Sequence, residues 1–137
     1  MDTASLIDQS LELAVARIGD PAPRVYARLF AQQPELETLF VNDRSGSVRA
    51  EMFLKSLDVV QDLLAGNLYA QGLLSTEWVN HRNLGVPMER FALFYRCLVE
   101  TLREALGDEW TPAFEAAWRD ALARLEAVIE AAAAESG

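Results

Sequence analysis

The chain has 137 residues, of which 51 % are hydrophobic, with one cysteine, one histidine and a formal net charge of -9. This length suits a single domain, residues 1–137, that buries its own core. The negative charge opposes binding to nucleic acid and to anionic membrane surfaces, because every approach begins with like-charge repulsion. A lone cysteine excludes an internal disulfide, and a lone histidine excludes the usual donor sets of zinc.

The hydropathy pattern indicates a protein outside the membrane. The N-terminus has no basic region followed by an apolar stretch, which a secretory signal would require. No apolar run approaches the roughly 18 residues that a membrane-spanning helix needs. We therefore expect a soluble, cytoplasmic protein.

The first half of the chain predicts four helices, because apolar residues recur at helical spacing and strand-like alternation is nearly absent. Gly19 can close the first helix, and Asp20 before Pro21 supplies a cap and a first-turn proline for the second. Pro34 should start a short helix, and Ser47 can cap the long one that follows a polar loop. The predicted ranges are about 4–18, 21–32, 34–40 and 47–65.

The second half of the chain predicts three more helices. A short one carries His81, a long one begins near Pro87 and is closed by Gly107, and Thr111 before Pro112 caps the last. A long central helix, a short one and two long ones do not suit an up-down four-helix bundle. This order favours an all-α fold wrapped around a pocket. The predicted ranges are about 75–82, 87–106 and 111–134.

Six short motifs stand in an order and at spacings that resemble one family of helical proteins. They are Val25-Tyr26-Ala27-Arg28-Leu29-Phe30, Pro34-Glu35-Leu36, Leu39-Phe40, His81-x-x-x-Gly85-Val86, Leu106-Gly107-x-x-Trp110-Thr111 and Ala117-Trp118. Together they resemble the single-domain bacterial haemoglobins and the globin part of flavohaemoglobins over nearly the whole chain. The resemblance implies a globin fold of about seven helices around one haem b.

The resemblance also implies which residues hold this cofactor. His81 matches the proximal histidine, which binds the haem iron through a neutral ring nitrogen. Phe40 matches the phenylalanine that packs against the haem plane, and Val86 matches a residue on the proximal side just after the histidine helix. Without the resemblance, Phe40 and Val86 suit ordinary core packing equally well.

The ligand side of the pocket depends on two further matches. Tyr26 matches the tyrosine of the second helix that faces bound ligand, where a hydroxyl donor slows the release of dioxygen. The usual histidine or glutamine at the start of the long helix is missing. If Phe53 is aligned as a haem contact, Arg49 takes the position of the missing residue. A shift of the alignment by one residue would put Val48 or Ala50 there instead. Arg49 would then reach a haem propionate or the ligand, or simply be a solvated charge at a helix start.

Two departures from the family pattern concern the support of the proximal histidine. Flavohaemoglobins carry a tyrosine and a glutamate where this chain has Phe91 and Ala133. Neither side chain can accept or donate a hydrogen bond, so we expect an ordinary bond from His81 to the iron, with Phe91 as an apolar haem contact. The 137 residues contain no flavin- or nicotinamide-binding motif, so we expect repeated redox turnover to need an external reductase.

These features favour reversible binding of dioxygen, carbon monoxide or nitric oxide over catalysis. Two alternatives stay open on the sequence alone. One is a haem-free globin-fold sensor or scaffold, and the other is a nitric-oxide dioxygenase or peroxidase-like enzyme that depends on an external reductase. Apolar residues on the last two helices would serve a homodimer if exposed, or close the core if buried.

Overall fold

The chain is almost entirely helical in a computed structural model, which describes residues 2–66, 68–86 and 88–136. No strand occurs within these residues, so the prediction of an all-α fold is confirmed. The elements in chain order are α1 Thr3–Ile18, α2 Ala22–Gln32, a 3-10 helix Pro34–Phe40, α3 Ser47–Leu64, α4 Leu68–Asn83, α5 Met88–Leu106, a 3-10 turn Gly107–Glu109 and α6 Pro112–Ser136.

Capping hydrogen bonds set the predicted starts of α2 and α6. The Asp20 carboxylate accepts from the N–H of Ala22 at 3.0 Å. The Thr111 hydroxyl accepts from the N–H of Phe114 at 3.1 Å. Each bond satisfies one of the N–H groups that a helix start leaves without a partner. Gly19 ends α1 at φ 74°, a conformation that glycine adopts readily.

The start of α3 is capped differently from the prediction. The hydroxyl of Ser47 contacts that of Ser45 at 3.1 Å and makes no capping bond. Instead, the Asp43 carboxylate accepts from the N–H groups of Val48 at 3.1 Å and Arg49 at 3.0 Å. A negative charge at this position is also stabilised by the helix dipole. The prediction that Ser47 caps α3 is therefore wrong, and Asp43 takes that role.

Helix α4 begins at Leu68, well before the predicted start at residue 75. Gly72 lies inside this extra length, where a glycine costs about 1 kcal/mol relative to alanine. The segment is helical nonetheless because α4 packs against both α3 and α6, and Leu73 contributes to the core. Tertiary packing thus overrides a weak local preference.

The core lies where α1 and α5 pack against α6. The indole N–H of Trp118 donates to the Ser10 hydroxyl at 2.9 Å, and that hydroxyl donates to the carbonyl of Ile7 at 2.7 Å. All three residues are fully buried, so this polar link between α1 and α6 has no access to water. The other large side chains that are fully buried among the described residues are Leu98, Leu102, Leu106, Leu125, Ile129, Val25, Val60 and Cys97.

Exposed apolar surface is sparse on the described side chains. The large exposed apolar residues are Val15, Leu39, Val41, Val48, Leu54 and Leu84. None of these lies on α5 or α6. No helix within the described ranges is both long enough and apolar enough to cross a bilayer.

Candidate functional site

An apolar cavity of about 350 Å³ lies between α2, the 3-10 helix Pro34–Phe40, α3, α4 and α5. Cavities of roughly 300–1,000 Å³ are typical of sites that bury a small organic ligand. Five of the residues predicted from the sequence line it: Tyr26, Phe40, His81, Val86 and Phe91. The fold therefore brings these five side chains to one site, although Tyr26 and Phe40 lie far from the other three in the chain.

His81 lies in the last turn of α4 with 21 % of its side chain exposed. Its Nδ1 is 2.7 Å from the backbone carbonyl oxygen of Glu77, one turn earlier. A carbonyl oxygen can only accept, so in the neutral imidazole the proton lies on Nδ1 and Nε2 keeps its lone pair. A histidine held in this way by a backbone carbonyl is oriented to bind a metal ion through Nε2.

The turn after His81 returns the backbone to the cavity, where Val86 lies. The N–H of Gly85 donates to the carbonyl of Arg82 at 2.9 Å, and that of Val86 donates to the carbonyl of His81 at 3.0 Å. This pair of bonds is a Schellman motif, which requires the left-handed backbone that Gly85 adopts at φ 85°. Val86 follows as a buried lining residue, so glycine at position 85 positions both Val86 and the end of α4.

Phe91 on α5 packs against the imidazole of His81, with ring centroids 4.9 Å apart and planes inclined by 48°. The phenylalanine ring has no polar atom, so it restricts the imidazole through contact alone. Ala133 lies on α6 and is not among the described lining residues. Neither residue offers a side-chain acceptor to the N–H of His81.

Tyr26 lies in an aromatic cluster at the other side of the cavity. Its ring centroid is 5.9 Å from that of Phe30, 5.8 Å from that of Phe40 and 5.5 Å from that of Phe94. Burial raises the pKa of the Tyr26 phenol well above its usual value, so the hydroxyl stays protonated at neutral pH. It donates to the backbone carbonyl of Arg49 at 3.1 Å. Tyr26 can therefore donate to a ligand only by exchanging this bond.

The face of α3 that lines the cavity differs by one residue from the aligned register. Arg49 and Phe53 are not among the described lining residues, and Phe53 is a buried part of the hydrophobic core. Of the three candidates at the start of α3, Val48 borders the cavity. The cavity face repeats at helical spacing and includes Val48, Met52, Ser56 and Val59.

The side chain of Arg49 is bound to Asp43. Its Nε donates to the Asp43 carboxylate at 3.1 Å, and a terminal nitrogen donates to the Asp43 carbonyl at 2.9 Å. Burial alone would raise the pKa of Asp43, but hydrogen bonds from the N–H groups of Val48 and Arg49 and from the Arg49 side chain hold it below the usual value. A contact between Arg49 and a cofactor would require the guanidinium to leave this partner.

Two cations at the cavity were not recognised as site residues from the sequence. Lys55 and Arg90 both line it. Lys55 pairs with Glu51 at 3.6 Å, and Arg90 pairs with Glu35 at 2.5 Å. These pairs are substantially exposed, so each contributes little free energy and its cation can change partners readily. The helical spacing from Val48 would have identified Lys55 had the register of α3 been known.

Two further polar residues at the cavity, Glu77 and Tyr95, were also missed. No motif singles them out, although Glu77 lies one turn before His81 on the same helix.

A family model described as Globin matches residues 23–129 of the chain. The match covers well over half of the sequence, from the first turns of α2 to the last part of α6. It therefore contains every helix that lines the cavity, including the turn that carries His81. The all-helical fold agrees with this result. The chain belongs to the globin family.

Proposed function

We propose that this globin binds haem b in the cavity and uses it to bind dioxygen, or another small diatomic ligand, reversibly. The observation that carries the proposal is the environment of His81. The only histidine of the chain lines an apolar cavity, and its Nδ1 is bonded to a backbone carbonyl so that Nε2 keeps the lone pair. When bound, haem supplies an iron with an open coordination position for a diatomic ligand.

The remaining lining residues fit the other parts of this cofactor. Phe40, Val86 and Phe91 offer apolar surface to the porphyrin ring. Lys55 and Arg90 are the cations that would hold the two haem propionates, because a charge-assisted bond to a carboxylate is about twice as strong as a neutral one. Both cations pair with glutamates in the structure, so each would exchange its glutamate for a propionate.

The ligand side is occupied by Tyr26 and its aromatic neighbours. The apolar rings keep water away from this end of the cavity, and the Tyr26 hydroxyl is the donor that would orient a bound diatomic molecule. Val48 stands at the start of α3, where many globins have a polar distal residue, and it offers no hydrogen bond. Tyr26 is therefore the donor on which selective retention of dioxygen depends.

We expect Tyr26→Phe to increase the dissociation rate of dioxygen about 5-fold, the factor that corresponds to a hydrogen bond worth about 1 kcal/mol. The effect is modest because the hydroxyl gives up its bond to the Arg49 carbonyl when it turns to the ligand. Stopped-flow replacement of dioxygen by carbon monoxide measures this rate. Carbon monoxide accepts hydrogen bonds poorly, so its own dissociation rate serves as the control and should change little. An unchanged dioxygen rate would remove Tyr26 from the ligand site.

Titration of the apoprotein with haemin tests the proposed function directly. We expect one haem per chain and, after reduction, the absorption spectrum of a five-coordinate ferrous haem that changes on addition of carbon monoxide. Circular dichroism of the same samples establishes that the apoprotein is folded. A folded apoprotein that takes up no haem would contradict the proposal and favour a haem-free sensor or scaffold.

A further inference from the structure

The hydroxyl of Tyr26 has a single proton, for which two acceptors compete once a ligand is bound. In the structure it donates to the backbone carbonyl of Arg49 at 3.1 Å. In the proposed function, bound dioxygen is the second acceptor. Because one O–H group is a single donor, the retention of dioxygen depends on the difference between these two hydrogen bonds. Whatever holds the Arg49 carbonyl in place therefore influences how readily dioxygen leaves.

The side chain of Asp43 holds this part of α3. Its carboxylate accepts from the N–H groups of Val48 at 3.1 Å and Arg49 at 3.0 Å, and from Nε of Arg49 at 3.1 Å. Only 5 % of the side chain is exposed, and the residue borders the cavity. Hydrogen bonds to a charged group are about twice as strong as neutral ones, so these three bonds tie the first turn of α3 firmly to Asp43.

The backbone of Asp43 adds three more bonds within the same loop. Its N–H donates to the carbonyl of Phe40 at 2.9 Å, and its carbonyl accepts from the N–H of Gly46 at 3.2 Å. The same carbonyl accepts from a terminal nitrogen of Arg49 at 2.9 Å. Asp43 is thus the common partner of the 3-10 helix before the loop and of α3 after it. The place of the Arg49 carbonyl relative to Tyr26 depends on this one residue.

We propose that Asp43 is a positioning residue that sets the release rate of dioxygen by holding the Arg49 carbonyl where it accepts from Tyr26. A firmly held acceptor stabilises the resting position of the hydroxyl and opposes its turn towards the ligand. The wild-type protein should therefore release dioxygen faster than it would with a loosely held acceptor. This inference rests on the proposed binding of dioxygen at a haem in the cavity.

The first test compares dioxygen dissociation rates of the wild-type protein, Asp43→Asn, Tyr26→Phe and the double variant, each reconstituted with haem and measured by stopped flow. Asp43→Asn keeps the shape of the side chain but removes its charge and one of its two acceptor oxygens. We expect it to slow dissociation by up to about 5-fold, the factor for complete loss of one neutral hydrogen bond. The double variant should release dioxygen at the rate of Tyr26→Phe alone, because Asp43 acts only through the hydroxyl.

Two further variants separate this effect from a change of charge or a loss of fold. Arg49→Gln keeps the backbone carbonyl and both N–H bonds to Asp43, so it should slow dissociation by less, and it carries the test should Asp43→Asn fail to fold. Asp2→Asn removes another capping carboxylate, which accepts from the N–H of Ser5 at 2.8 Å. It caps α1, which contributes no described residue to the cavity, so the rate should stay unchanged.

Three results would overturn the inference. One is an unchanged or faster rate in both Asp43→Asn and Arg49→Gln. Another is an equal change in Asp2→Asn, because net charge would then explain it. The third is an effect of Asp43→Asn that persists in the Tyr26→Phe background, since Asp43 would then act on the cavity and not through the hydroxyl.

A second measurement uses the apoprotein, so it separates failure of the inference from failure of haem binding. Tyr26→Phe should lower Tm, because the bond to the Arg49 carbonyl is lost, and should lower it less in the Asp43→Asn background, where the acceptor is already loosened. Equal losses of Tm in the two backgrounds would contradict the inference, whether or not haem binds. Failure of the wild-type protein to bind haem would instead contradict the proposed function.

Discussion

Replacement of His81 by alanine is expected to lower the affinity for haem at least about 100-fold, because loss of a mere partner of a metal-binding histidine already costs roughly 10–100-fold. The chain has no second histidine that could take over the iron. The fold should survive, since the side chain is partly exposed and its hydrogen bond goes to its own helix. Transfer of haem to an excess of a competing apoprotein, followed by absorption, measures the loss.

A control for this variant is Asn80→Ala, which alters an exposed neighbour on α4 and should retain haem like the wild-type protein. A second variant, His81→Gly, leaves space in which free imidazole can replace the missing side chain. Added imidazole should restore the five-coordinate ferrous spectrum. Retention of haem by His81→Ala with an unchanged spectrum would mean that the iron is held elsewhere, and it would remove His81 from the proposed site.

Helix boundaries were predictable where the signal is local. Asp20 and Thr111 cap the helices that follow them because a side chain and an N–H two or three residues away make the bond. The cap of α3 was missed because Asp43 reaches over the turn formed by residues 44–46. The start of α4 was missed because its first turns depend on packing against α3 and α6 and not on propensity.

In the candidate site, too, the parts set by neighbouring residues were predictable from the sequence, and the parts set by contacts between distant segments were not. His81, Gly85 and Val86 lie within one turn, so their arrangement follows from a motif that glycine makes possible. The face that α3 presents to the cavity does not follow from a local motif. A shift of one residue in the alignment turns a helix by about 100°, and so selects a different face. The alignment with Arg49 and Phe53 was therefore fragile, and the structure places Val48 at the cavity instead.

Glu77 and Tyr95 mark the limit of prediction from the sequence. Glu77 lies one turn before His81 on the same helix, whereas Tyr95 lies on α5 and shares the cavity with them only through the fold. At the two positions where flavohaemoglobins have a tyrosine and a glutamate, this chain has Phe91 and Ala133, which cannot form a hydrogen bond with the histidine.

Replacement of Ser10 by alanine is expected to destabilise the protein by about 1–3 kcal/mol, the cost of leaving a buried donor without its partner. The indole N–H of Trp118 would lose the hydroxyl that accepts it, in a part of the core that water does not reach. Thermal unfolding of the apoprotein measures the effect, and each kcal/mol should lower Tm by about 4 °C in a domain of this size. Trp118→Phe removes the stranded donor, so Ser10→Ala should cost less in that background.

Ser56→Ala is the matched control for this prediction. Ser56 is also a buried serine, but its hydroxyl donates to the carbonyl of Phe53 within α3 at 2.6 Å and receives no hydrogen bond from any other residue that the structure describes. Its removal leaves that carbonyl with its helical partner and strands no donor, so Tm should change little. Equal losses in the two variants would mean that the bond between Trp118 and Ser10 contributes nothing of its own, and that α1 is held to α6 by apolar packing alone.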